Sequence, residues 1–181
     1  MKKTWLSWLL IAIAALLVVA GILWLRYGNK LFYKNVFVDP QNQISFAYPD
    51  EWTIVTGATN PYLVATVSSP EISEYTPLFN VTREQIPSDM TLDAYVSQTM
   101  KQLKEVIIEF QQNETSEINV DGRPAKKVLF SGRYLDQPFS WEQIYAVKDS
   151  TVYVLTYLAP TGAFSGDREA IETSFSTFAF Q

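Results

Sequence analysis

The stretch FSWEQIYAVKDSTVYVLTYL, Phe139 to Leu158, decides the fold. Phe139, Trp141, Gln143, Tyr145 and Val147 alternate with Ser140, Glu142, Ile144 and Ala146, the two-residue period of a β-strand. Asp149-Ser150 supplies a tight turn, and Val152 to Leu158 returns as a second strand. Just upstream, Ala125 to Tyr134 reads as another strand, separated from Phe139 by the turn-forming Asp136-Gln137-Pro138. Before that, Glu117 to Val120 runs into Asp121-Gly122, a dipeptide that favours a two-residue hairpin. Strands joined by such short turns predict an antiparallel meander.

On the N-terminal side of the meander the period changes. Leu92, Val96, Leu103, Ile107 and Phe110 recur at helical spacing, with Tyr95 beside them, and predict one long helix over Thr91 to Phe110. Thr91 suits the N-cap and Asp93 the first turn. Lys101, Gln102, Lys104 and Glu105 fill its wet face. Further upstream, Ile44, Phe46 and Tyr48 share one face of a strand that Pro49-Asp50 ends. Trp52 and Ile54 resume extended chain, and Tyr62 to Ser68 and Leu78 to Arg83 predict two more strands around a loop from Ser69 to Pro77. Downstream, Ala159-Pro160-Thr161-Gly162 closes the sheet. Asp167 is placed to cap a short helix carrying Ala170, Ile171 and Phe175, and Phe178 to Phe180 adds a last strand. Strands in two groups around one long helix argue for an α+β domain, an antiparallel sheet packed with helices.

Four pieces of this order resemble the Mog1/PsbP-like superfamily. ISFAYPDEW, Ile44 to Trp52, is similar to its opening strand and turn. VDGRPA, Val120 to Ala125, resembles its central hairpin, and VYVLTY, Val152 to Tyr157, its late strand. Ser174-Phe175 is similar to the end of its last helix. The resemblance implies an α-β-α sandwich used as an accessory or binding module rather than a catalyst. The photosynthetic members assist the oxygen-evolving centre of photosystem II. This chain departs from them in having neither histidine nor cysteine, so no metal or docking residue carries over. Each piece also has a plain folding role. Pro49 ends a strand, Gly122 supplies a positive φ, and Phe175 plugs the core.

Composition narrows the chemistry. With 181 residues, 48% hydrophobic and 14% aromatic, the chain can bury a substantial core. The absence of cysteine excludes disulfides, thiolate metal sites and a lipid-bearing cysteine. The absence of histidine excludes Ser-His-Asp catalysis and histidine-ligated zinc or haem. Residues 1–30 carry four basic side chains and no acid. The remainder has 10 basic and 19 acidic side chains, a net of −9. A body so acidic repels nucleic acid, which is therefore not expected as a partner. Lys126, Lys127 and Arg133 form the one tight basic group, expected to be a solvated strand face.

The run WLSWLLIAIAALLVVAGILWL, Trp5 to Leu25, has no charged residue. Its 21 residues reach ~31 Å as a helix, matching the hydrocarbon core of a bilayer. Seven Leu, three Ile and two Val favour insertion by about 4–7 kcal/mol in total. Trp5, Trp8, Trp24 and Tyr27 stand near its ends, where aromatic side chains prefer the interface. A signal peptide cleaved after Ala20 is the competing reading, but this run is longer than a signal h-region. The expected organisation is an N-terminal signal-anchor transmembrane helix over residues 1–26, a juxtamembrane linker over 27–43 and a soluble domain over 44–181. The long C-terminal part is expected to translocate, leaving the domain extracytoplasmic on a cell membrane.

No sequence motif marks a catalytic, cofactor or metal site. Carboxylate pairs are the only candidates: Asp50-Glu51, Glu71 with Glu74, and Asp167 with Glu169. None has an EF-hand spacing. Gly162 to Gly166 is not a nucleophile elbow, since its serine is fourth rather than third. Three functions remain. The first is a non-catalytic, membrane-tethered binding or assembly module with an unidentified protein partner, to which Tyr153 and Tyr157 would offer an exposed patch. The second is a carrier holding a small or lipidic ligand between sheet and long helix. The third is a hydrolase using two carboxylates across a cleft.

Overall fold

A computed structural model describes residues 35–57, 59–70 and 75–181, apart from the side chains of Asp167 and Glu169. The segment Trp5 to Leu25 and the Glu71–Glu74 pair lie outside the described residues. No described helix is long and apolar enough to cross a membrane.

Seven strands form the main antiparallel sheet, in the order β3-β4-β5-β9-β8-β7-β6. They are β3 (Thr53–Thr56), β4 (Leu63–Ser68), β5 (Leu78–Gln85), β6 (Ile108–Val120), β7 (Arg123–Tyr134), β8 (Gln137–Lys148) and β9 (Thr151–Pro160). A second sheet has β2 (Ile44–Ala47) between β1 (Val36–Asp39) and β10 (Ala179–Phe180). Two helices, α1 (Leu92–Val106) and α2 (Phe164–Thr177), complete the unit.

The meander closes as the alternation predicts. Phe130, Trp141 and Leu158 stand in one row of β7, β8 and β9. Asp121 and Gly122 both have positive φ, +49° and +78°, as a type I′ hairpin requires. β9 lies at the centre of the sheet and is buried on both sides. Its odd positions, Tyr153, Leu155 and Tyr157, join a core with Ile44, Phe46, Phe79, Ile171 and Phe175. Its even positions, Val152 and Val154, join a second core with Val96, Met100, Phe130 and Trp141. The sheet therefore separates two cores, each covered by one helix.

On the first face, α2 and the small sheet form the lid. Phe79 meets Phe46 and Phe175 edge-on, at 5.3 and 5.5 Å between ring centres. Thr177 Oγ1 accepts the Ala47 amide at 2.9 Å, tying the end of α2 to β2. Phe180 sits beneath Arg123 and Lys148, and its amide donates to Asp121.

On the second face, α1 starts as expected. Thr91 Oγ1 accepts the Ala94 amide at 3.1 Å. Its end differs from the expected Phe110. The helix stops at Val106, Ile107 is its extended C-cap, and β6 begins at once at Ile108. Paired β-branched residues at Ile107-Ile108 favour this switch. Gly132 admits it, because a Cβ there would lie 2.3 Å from Ile107 Cγ2 and 2.9 Å from the Ile108 carbonyl oxygen.

Three other expectations are corrected. Part of the linker read over residues 27–43 is strand: Val36 to Asp39 pairs with β2. The β7–β8 turn is Leu135-Asp136, with Gln137 and Pro138 already in β8. Asp167 does not occupy the N-cap, because α2 starts at Phe164 with Ala163 in that position.

Candidate functional site

α1 runs back alongside β6, because only Ile107 separates the two elements. Its Asp93, Ser97, Lys101 and Lys104 recur every three or four residues and so share one stripe. That stripe faces Phe110, Gln112 and Thr115 of β6 across an open groove of about 530 Å³. Val96, Met100 and Phe110 supply its apolar surface, and Lys126 of β7 also lines it.

Beneath the groove an aromatic file continues into the core. Phe110 tilts onto Phe130 at 5.4 Å, and Phe130 stacks on Trp141 at 5.2 Å with ring planes 7° apart. Val96 and Met100 are the buried residues of α1, each 6% exposed along the groove. Burying two such side chains is worth roughly 1.5–3 kcal/mol each, and half-buried Leu92, Tyr95 and Leu103 pack against the same core.

The electrostatics differ along the groove. Near the start of α1, Lys126 Nζ lies 2.7 Å from Asp93 Oδ1. That hydrogen bond raises the lysine's pKa above its ordinary value, with Glu117 adding to the effect. Towards the end of α1, Lys101 and Lys104 are exposed and form no ion pair among the described residues. On the far side of α1, Tyr95 donates to Glu84 at 2.8 Å. Burial, with Glu84 adding to it, pushes the Tyr95 phenol well up. Burial does the same to Tyr145, whose hydroxyl donates to Gln143.

Of the residues singled out by sequence, Lys126 and Lys127 do not act together. Lys126 faces α1, whereas Lys127 points to the opposite face, 4.0 Å from Glu142. Tyr153 and Tyr157 form no exposed patch. They are 5% and 0% exposed, covered by the C-terminal segment and α2. Tyr153 packs on Phe178 and Phe180, and the Tyr157 hydroxyl donates to the Phe164 carbonyl.

Sequence reasoning passed over Glu142, the most buried charged side chain described, at 1% exposure. Arg168 Nε of α2 donates to it at 2.9 Å. The same contact raises the Arg168 pKa. The signal was present: Glu142 occupies the alternating position shared by Ile144 and Ala146, where an acid needs a partner. With Arg168 and Lys127 beside it, it fastens α2 to the sheet.

The described carboxylates do not converge. Asp93 is the single acid lining the groove, and it is engaged by Lys126. Two smaller clefts, of about 290 and 210 Å³, each include Glu84, and a third, of about 240 Å³, includes Glu109. None of these four clefts holds two carboxylates, and no described acids cluster as metal ligands.

The model of the DcrB family matches residues 44–177. Among solved structures, LpqN of Mycobacterium tuberculosis, described as involved in cell envelope biogenesis, is similar at 15% identity. The match covers 76% of this chain and 83% of that one, with a TM-score of 0.63. The cyanobacterial PsbP of Synechocystis is similar at 14% identity, covering 81% and 92%, with a TM-score of 0.61. The Ran-binding protein Mog1p of Saccharomyces cerevisiae is similar at 9% identity, covering 81% and 94%, with a TM-score of 0.60. These likenesses place the domain in the Mog1/PsbP-like fold, as the sequence resemblance implied. Among curated proteins, none matches the chain in sequence.

Proposed function

Because the chain belongs to the DcrB family, we propose that it is a non-catalytic binding module held at the cell envelope by Trp5 to Leu25. The groove between α1 and β6 takes its partner. One observation carries this reading. In a body of net charge −9, the groove between α1 and β6 presents two cations that form no ion pair among the described residues, Lys101 and Lys104, beside apolar Val96, Met100 and Phe110. A partner segment that sets an acidic side chain next to an apolar one complements it. The involvement of LpqN in cell envelope biogenesis supports the location.

A second reading, a carrier for a small anionic amphiphile, is favoured by the apolar floor and by a volume within the range of ligand sites. One experiment covers both. A photocrosslinking side chain replaces Ser97 in the full-length chain, in intact membranes. A protein adduct that disappears in the Lys101→Glu/Lys104→Glu variant supports the module. A lipid adduct lost in Met100→Glu supports the carrier. No adduct, or equal adducts from Ser97 and from Gln41 at the far end of the domain, overturns the groove as the binding site.

A further inference from the structure

Four large hydrophobic side chains gather, exposed, at one end of the main sheet: Val106 (75%), Ile108 (61%), Tyr134 (52%) and Leu135 (63%). Val106 and Ile108 flank the turn from α1 into β6, and Ile108 pairs with Arg133, next to Tyr134. Leu135 holds the first position of the β7–β8 turn with φ +49°, and Asp136 follows at +61°. Asparagine, aspartate and glycine favour this left-handed pair, and a bulky aliphatic does not. Here the turn is braced from both sides. Arg133 Nη2 donates to the Asp136 carbonyl at 2.8 Å, and the Tyr75 hydroxyl to the Leu135 carbonyl at 3.4 Å. The fold thus presents a leucine to solvent where a small polar residue would sit more easily.

Strand register shows which end of the domain this is. One row crosses all seven strands: Thr53, Ser68, Leu78, Leu158, Trp141, Phe130, Gln112. Beyond that row, at one end, lie Trp52 before β3 and Ile108, Tyr134 and Leu135 at the β6–β7–β8 corner. Asn35, where the described chain begins, is fastened at this same end. Its carbonyl accepts the Tyr48 amide at 3.1 Å, and its side chain donates to the Asp50 carbonyl at 3.0 Å. Only Arg26 to Lys34 separates Leu25 from Asn35, and nine residues span at most about 32 Å. The chain therefore joins the domain at the end that carries the apolar corner.

We propose that this corner, led by Tyr134 and Leu135, is a second membrane contact that dips into the lipid surface and fixes the domain's orientation. The proposal rests on the tethering of Trp5 to Leu25. The contact is apolar, with Tyr134 suited to the interface. It is not electrostatic, because Asp50, Glu51, Glu109 and Asp136 share this end with Arg133. Anionic lipid should not strengthen it. In this orientation the Asp121-Gly122 and Asp149-Ser150 turns point away from the lipid. The groove beside α1 runs outward, with Lys104 nearer the membrane than Asp93.

The chain has no cysteine, so single labelling positions can be introduced cleanly. Full-length Leu135→Cys, Ile108→Cys and Gln41→Cys variants carry a polarity-sensitive fluorophore and are reconstituted into phosphatidylcholine vesicles. The proposal expects labels at Leu135 and Ile108 to shift to the blue and to be quenched by brominated lipid, with Gln41 remaining wet. Labels at Leu135 and Ile108 as wet as the one at Gln41, on protein that floats with the vesicles, would overturn the second contact while leaving the tether intact. Protein that does not float with vesicles overturns the tether, and the second contact with it.

Discussion

The two faces of the main sheet carry one helix each, and the helices are held very differently. α2 is fixed by the ion pair from Arg168 to the buried Glu142, by Ile171 and Phe175 in the larger core, and by a hydrogen bond from β2. α1 is held by buried Val96 and Met100, by half-buried Leu92, Tyr95 and Leu103, by the exposed contacts of Tyr95 with Glu84 and of Asp93 with Lys126, and by an N-cap, and the stripe that ends in Lys101 and Lys104 faces an open groove. A closed face serves stability, because its large apolar side chains are buried against one another. A face whose helix borders an open groove is where binding can occur without dismantling the fold.

Mutations can break or sharpen this contrast. Phe79→Ala on the closed face removes a fully buried ring and should destabilise the domain by about 3–5 kcal/mol in urea unfolding. A loss under 1 kcal/mol would mean that face is not the main core. Glu142→Gln keeps the shape but weakens the hold on Arg168, and should lower stability by about 1.5–3 kcal/mol. Gly132→Ala drives a methyl into Ile107 and the Ile108 carbonyl. It should cost about 1–3 kcal/mol, with faster hydrogen exchange in the last turn of α1 and none of that acceleration in α2. Thr91→Ala removes the cap and should cost about 1 kcal/mol, again with α1 alone exchanging faster.

An alkaline titration probes the α1 face by direction. Tyr95 and Tyr145 keep their protons in the folded state beyond the ordinary tyrosine value. The unfolded chain loses them near pH ~10, so above that pH the unfolded state binds fewer protons. Stability should hold up to that point and fall as the pH rises further. Urea midpoints at about pH 8 and about pH 11 should show a shallower fall in Tyr145→Phe than in the parent chain.

The meander was legible because Phe139 to Val147 alternates strictly and its turns carry turn residues. The groove was not, for one local reason. Leu103, Ile107 and Phe110 keep helical spacing across a boundary the structure places at Val106, so Phe110 was assigned to the helix it faces. β6 also conceals its own alternation. It is a polar edge strand, and register shifts after Ile108 and after Gln112 displace its side chains from the two-residue pattern. The role of Glu142 was not legible because its partner Arg168 lies 26 residues away in sequence. Tyr153 and Tyr157 looked available because nothing in β9 itself announces the C-terminal segment and the helix that cover them.

Hydrogen exchange on the full-length chain, in its own membranes and after purification in detergent, tests the open groove most directly. Added protection in the membrane state should fall on α1 and the facing residues of β6, and should be lost in Lys101→Glu/Lys104→Glu. Protection gained on α2, or no gain on α1 and β6, would contradict the assignment of binding to that groove.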